Sequence, residues 1–212
     1  MDYRYDVFIS YRRQKEWTRW TREHFCNILD AYLTQELSAS PAIFADDQIE
    51  PGADWPDRLG EGLGRSRILL PIFSRDYFAS DWCLHELDLM HGRLMQYPNS
   101  RLIVPVVVHD GDLIPEEIAR IQAPNLSRYR NTDLQRNTPL YEQFSEAVKQ
   151  IAPSIAAAIQ SAPAFQDVWV DDCRSRFNAV YKAVAYDETR PTVHTLTLRP
   201  LPWPNALPRV TP

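Results

Sequence analysis

The carboxylate best placed for chemistry in this chain is Glu86, in the run Ser80-Asp81-Trp82-Cys83-Leu84-His85-Glu86-Leu87. It follows Trp82 by four residues, a spacing that stacks the indole and the carboxylate on one face of a helix. Cys83, Leu87, Met90 and Leu94 form the adjoining apolar stripe, so Glu86 borders the core side rather than open solvent. A carboxylate there is desolvated unless it has a partner or a ligand. Ser10-Tyr11-Arg12-Arg13 offers guanidinium groups suited to phosphate oxygens, and Asp46-Asp47-Gln48-Ile49-Glu50-Pro51-Gly52 offers an acidic, turn-rich loop. Other chemistries find less support. Gly60-x-Gly62-x-Gly64 has no Lys-Ser/Thr after it and sits inside a helical pattern, which argues against a phosphate loop. His85, His91 and His109 lack ligand spacing, so no metal is expected, and Cys83 reads as a core thiol outside any papain-like or redox motif. Each candidate also has an ordinary reading. Glu86 fits a solvated helix residue, Trp82 a packing residue, and Arg12 and Arg13 surface charges. Ser10 fits a cap or turn residue, and Asp46 and Asp47 turn formers.

These segments must be held together by the elements around them. Tyr5 to Ser10 reads as a strand, and Trp17 to Leu37 as a helix with Phe25, Ile28, Leu29, Tyr32, Leu33 and Leu37 on one face. Ala42 to Ala45 is a second strand, and Asp54 to Arg65 a helix loosened by its glycines. Arg67 to Phe73 is a third strand, Ser74 to Leu94 mostly helix, Leu102 to Val108 a fourth strand, and Leu126 to Tyr129 a short fifth. Thr138-Pro139 opens a last helix as N-cap and first-turn proline, which Pro153 should kink or split. Strands alternating with helices imply crossover units and a parallel sheet. The unbroken apolar runs at 68–73 and 102–108 suit strands buried on both faces, with Pro71 and Pro105 expected at strand ends or bulges. The fold class is therefore α/β, a flavodoxin-like doubly wound parallel sheet of five strands in the order 2-1-3-4-5. In that order the connections leaving strands 1 and 3 run to opposite faces. The crevice at their carboxyl ends receives all three candidate segments.

Composition bounds the rest. The chain has 212 residues, 44% of them hydrophobic, enough to bury a proper core. Its formal charge of −5, without a basic block, argues against a nucleic-acid partner. The longest apolar run, Leu102 to Val108, is far below the roughly 20 residues that span a bilayer, so no membrane role is expected. Three scattered cysteines and an N-terminus without an apolar core fit a cytoplasmic protein. Residues 1–160 read as the domain. Residues 161–212 read as a C-terminal extension, with a short helix over Asp171 to Val184 and then a tail rich in proline: six of the 17 prolines fall in 190–212.

Three boxes carry a family resemblance. Tyr5-Asp6-Val7-Phe8-Ile9-Ser10-Tyr11 resembles the first signature box of Toll/interleukin-1 receptor (TIR) domains. Asp46 to Gly52 is similar to their loop after the second strand. Ile72-Phe73-Ser74 with Ser80 to Leu87 resembles the segment carrying the Trp-x-x-x-Glu pattern of bacterial and plant members, in order over about residues 3–150. The resemblance, to the bacterial NAD-cleaving type, implies an NAD glycohydrolase that releases nicotinamide and leaves ADP-ribose or a cyclic isomer. NAD is then the substrate and no cofactor is needed. Glu86 takes the catalytic position, with Phe8, Ser10, Arg12, Arg13, Asp46 and Trp82 around the substrate. Nicotinamide leaves as a neutral molecule and needs no acid, so a single carboxylate is sufficient to steady the oxocarbenium-like ribosyl transition state. The family further implies homotypic TIR–TIR assembly, an immune or antiphage setting, and a sensor partner or fused domain. The alternative is a non-catalytic TIR scaffold that signals by assembly alone. A phospho-acceptor receiver domain fails because Ser10-Tyr11-Arg12 and Phe73-Ser74 stand where it needs acidic residues. A nucleoside deoxyribosyltransferase is disfavoured by the Asp46 loop and the Trp82 box.

Overall fold

The structure, a computed structural model, describes residues 2–13, 18–45, 54–108, 123–131 and 134–186. Strand β1 (Tyr5–Ser10) pairs in parallel with β2 (Ile43–Ala45) on one side and β3 (Ser66–Phe73) on the other. β3 in turn pairs in parallel with β4 (Val106–Val107), giving the order β2-β1-β3-β4. The expected order is present in these four strands. The fifth place is held by a single parallel bridge between Val107 and Asn125, and Ser127–Tyr129 forms a 3-10 turn instead of the expected strand. The Leu126 amide still donates to the Val107 carbonyl at 2.6 Å.

Alternation along β1 and β3 splits the core into two layers. Val7, Ile9, Ile68, Leu70 and Ile72 face α1 (Asn27–Leu37), which is entered through a π-helical stretch (Trp20–Cys26), and α4 (Pro139–Gln160). Phe8, Leu69 and Phe73 face α2 (Trp55–Gly64), α3 (Asp81–Gln96) and α5 (Val168–Tyr186). Apolar residues at consecutive positions of β3 are thus buried on both sides, as the sequence pattern requires.

Pro71 and Pro153 depart from expectation, whereas Pro105 stands at a break in the strand as expected. Pro71 lies inside β3, opposite Ser10, rather than at its end. Leu69 and Phe73, two residues either side of it, direct their backbone groups to the β4 side, so the amide that Pro71 lacks would face that neighbour too. The β3–β4 ladder is broken there into a bridge between Leu69 and Ile103 and the two-residue β4, and Pro105 occupies the gap. Pro153 does not split α4, which runs unbroken across it. Its position is exposed, so the carbonyl it leaves unpaired can face water. Thr138 caps that helix as expected, its Oγ1 accepting from the Tyr141 amide at 3.3 Å.

The helix expected over 171–184 runs from Val168 to Tyr186 and is packed into the second layer, with Cys173 and Phe177 3% and 0% exposed. The glycine-rich run of α2 explains its seat. A Cβ on Gly60 would lie 2.7 Å from the Arg174 Cα, and one on Gly64 would lie 2.7 Å from the Val170 Cα. A Cβ on Gly62 would strike the Phe44 ring at 2.6 Å. These glycines serve close packing of backbone and ring, not phosphate. Among the described residues, no helix is long and apolar enough to cross a membrane.

Candidate active site

Ser10, the last residue of β1, points to the same face as Phe8, towards α3. The turn between β3 and α3 places Tyr77 against it, and the second turn of α3 brings Glu86. The Ser10 hydroxyl donates to Glu86 Oε2 at 2.5 Å and lies 2.8 Å from the Tyr77 hydroxyl, which also reaches the Cys83 carbonyl at 3.2 Å. All three side chains are out of solvent: Ser10 is 1% exposed, Tyr77 0% and Glu86 5%. Burial, with the neighbouring Cys83 and Glu86, pushes the Tyr77 phenol well above its ordinary range despite the opposing hydrogen bond to Ser10. Tyr77 is therefore a proton donor at any working pH. Ser10 has one proton, and it goes to Glu86, so Tyr77 supplies the proton in its contact with Ser10 and shares that single proton with the Cys83 carbonyl, which can only accept. The result is a directed chain, Tyr77 to Ser10 to Glu86, that ends on a carboxylate at the carboxyl edge of β1 and β3.

The first turn of α3 is fixed by Ser80, whose buried Oγ accepts from the Cys83 amide at 3.4 Å and from Arg12 Nη1 at 3.2 Å. Arg12 thus ties the end of β1 to the helix that carries Glu86, using one of its five donors. Arg13 is exposed, with its guanidinium carbon 5.4 Å from the centroid of the Trp55 ring. Trp55 meets Trp82 edge to face at 4.4 Å, and Trp82 stacks on Phe177 at 5.9 Å and 11°. One wall beside the relay is therefore aromatic and drawn from α2, α3 and α5.

The site residues singled out from the sequence are distributed as follows. Glu86 is a buried, hydrogen-bonded residue, which excludes its reading as a solvated helix residue. Ser10 contacts it directly. Phe8 lies one step below Ser10, 1% exposed and stacked on Phe44 at 5.0 Å, so it forms the floor rather than an open wall. Trp82 is half-buried in the aromatic wall, Arg13 lies over Trp55 of that wall, and Arg12 is bonded to Ser80. Asp46 and its loop lie outside the described residues. Sequence reasoning missed Tyr77, Ser80 and Trp55. Ser80 carried a signal, a serine just before a helical pattern. Tyr77 offered only an aromatic inside a polar turn, and its partner is 67 residues away.

A family model described as "TIR domain" matches residues 7–138. The chain is 34% identical over 107 residues to the Arabidopsis thaliana protein SUPPRESSOR OF npr1-1, CONSTITUTIVE 1, covering 50% of this chain and 7% of that protein. It is 34% identical over 84 residues to TMV resistance protein N of Nicotiana glutinosa, covering 39% of this chain and 7% of that protein. The chain thus spans only a small part of the length of these relatives. Among solved structures, the TIR domain of the Toll-related Receptor TRR-2 from Hydra magnipapillata aligns at 17% identity and a TM-score of 0.41, over 58% of this chain and 85% of that one. The TIR domains of the activated Roq1 resistosome align at 22% identity and a TM-score of 0.39, over 85% and 99%. With the family model covering residues 7–138, well over half of its length, this chain belongs to the TIR domain family.

Proposed function

We propose that this TIR domain cleaves NAD at the nicotinamide–ribose bond, with Glu86 as the catalytic residue. The observation that carries the reading is the Glu86 carboxylate, 5% exposed and held by Ser10 at the carboxyl end of β1. In the reaction the C1′–N bond breaks and its electron pair leaves with nicotinamide as a neutral pyridine. The positive charge that remains on the ribosyl carbon and ring oxygen is steadied by the carboxylate through the ribose hydroxyls. Water then adds at C1′ and loses a proton to give ADP-ribose, or a nucleophile within the same molecule closes a ring. The low local dielectric around Glu86 strengthens its field at the moment charge develops. Trp82 packs beside the ribose, and Arg12 and Arg13 supply donors to phosphate oxygens.

The likeness to TMV resistance protein N, a protein named for resistance to a virus, supports an immune or antiviral role in which NAD is depleted or a nucleotide signal is made. Activity arises on self-assembly of TIR domains, with a sensor partner or fused domain as the trigger. One observation favours the alternative of a scaffold that signals by assembly alone: Glu86 already has a hydrogen-bond partner in Ser10, as a purely structural carboxylate would. Incubating the purified protein with NAD and resolving the products by chromatography separates the two. Release of nicotinamide supports the enzyme, and intact NAD at high protein concentration supports the scaffold.

A further inference from the structure

The helix α5 lies outside the residues that match the family, yet the body of the domain is shaped to receive it. Gly60 and Gly64, one turn apart on α2, admit its backbone at distances no side chain would allow. Arg93 of α3, 4% exposed, donates to the Ser66 carbonyl at 2.9 Å and the Gly64 carbonyl at 3.4 Å, and lies 4.3 Å from the Trp169 ring centroid. Arg174 reaches Asp57 and Glu61 of α2, each at 3.3 Å. From this seat α5 places Phe177, fully buried, in near-parallel contact with Trp82. Trp82 is therefore clamped between Trp55 of α2 and Phe177 of α5.

We propose that α5 is a working part of the site and that Phe177 is a positioning residue, fixing the plane of the Trp82 indole against which the substrate packs. The proposal rests on the NAD reading for its ligand, but not on catalysis. An indole free to change rotamer would present its edge as often as its face, and a flat or sugar-like ligand would lose contact with it. The cost falls on binding rather than on the bond-breaking step, because Phe177 itself is buried behind Trp82 and touches no reacting atom.

The test uses the full chain labelled with 5-fluorotryptophan, the Trp82 fluorine signal being assigned by its loss in Trp82→Phe. Phe177→Leu keeps an apolar side chain in place but removes the ring. Gly60→Ala instead lifts α5 from a distance. Circular dichroism and thermal melting show that each variant is folded. Alkylation of Cys173, 3% exposed, reports whether α5 stays docked. In Phe177→Leu the Trp82 signal should shift while that of Trp20, in the opposite layer, stays put. The apparent Kd for NAD, titrated on the Trp82 signal, should rise about 3- to 10-fold. KM should follow Kd while kcat changes less than about threefold. Gly60→Ala should give the same rise together with faster alkylation of Cys173. A folded Phe177→Leu protein with an unmoved Trp82 signal, or with unchanged Kd, overturns the proposal, as does a wild-type Trp82 signal that ignores NAD. Wild-type protein that binds NAD at Trp82 but releases no nicotinamide refutes the catalytic reading and leaves the positioning role decided by the Kd values.

Discussion

Replacing Tyr77 by phenylalanine isolates one link of the buried relay. The ring has its partners, Phe73 at 5.1 Å and Phe78 at 5.4 Å, and the substitution keeps both while deleting only the hydroxyl. Its one proton goes with it, shared between Ser10 at 2.8 Å and the Cys83 carbonyl at 3.2 Å. Neither partner is stranded. Ser10 still donates to Glu86, and the Cys83 carbonyl, inside the first turn of α3, still accepts from the helix. Without an orphaned group the loss is about 0.5–1.5 kcal/mol, the net worth of one ordinary buried hydrogen bond. For a domain of this size that lowers Tm by about 1–6 °C. A double-mutant cycle with Ser10→Ala tests the geometry itself, because side chains in one network couple by about 0.5–3 kcal/mol. Chemical denaturation of the wild type, the two single variants and the double variant supplies the four free energies. If the single losses add to within about 0.3 kcal/mol, the hydroxyls do not share a bond and the relay is refuted.

Further expectations concern the acid response and assembly. Glu61 is held below the ordinary carboxylate range: burial alone would raise it, but the Arg58 hydrogen bond and the charges of Arg174, Arg58 and Arg65 outweigh burial. A depressed carboxylate contributes stability that is full above its ordinary range and is lost as pH falls through the lower folded-state value. Tm should therefore fall on acidification from about pH 6 to about pH 3, and Glu61→Gln should flatten that slope. A slope identical in the two proteins would assign the acid response to other groups. The Cys173 thiol is pushed up to about 12, chiefly by burial, so native protein at pH 8 should alkylate there about 10³-fold more slowly than an ordinary thiol. Labelling at the ordinary rate would mean that α5 is not docked in solution. Nicotinamide release per molecule should rise steeply with protein concentration, measured over a dilution series. A constant specific activity would remove the assembly requirement.

Much of the fold was legible because burial imposes a period. The alternation of Val7 and Ile9 against Phe8 and Ser10, and the unbroken apolar run of β3, follow from one sheet covered on both faces. The position of Glu86 was legible for the same reason: the stripe of Cys83, Leu87 and Met90 fixed which side of α3 it borders. What could not be read depends on distant partners. Pro71 is tolerated in β3 because its missing amide faces a gap in the neighbouring strand, a fact set by Pro105, 34 positions away. Gly60 and Gly64 look like helix defects until α5, more than a hundred residues later, is seen lying on them. Tyr77 shows no local pattern at all, since its role is fixed by a hydroxyl on another strand. The helix over Asp54 to Arg65 was readable, but not that the Trp55 ring would join Trp82.

The central claim turns on the charge of one side chain, and Glu86→Gln removes that charge while keeping its shape. The Ser10 hydroxyl can still donate to the amide oxygen of the variant, so the fold and its melting behaviour should be preserved. Nicotinamide release from NAD, followed by chromatography with both proteins at equal concentration, should drop by a factor on the order of 10²–10³. A folded variant that releases nicotinamide at the wild-type rate would contradict the account.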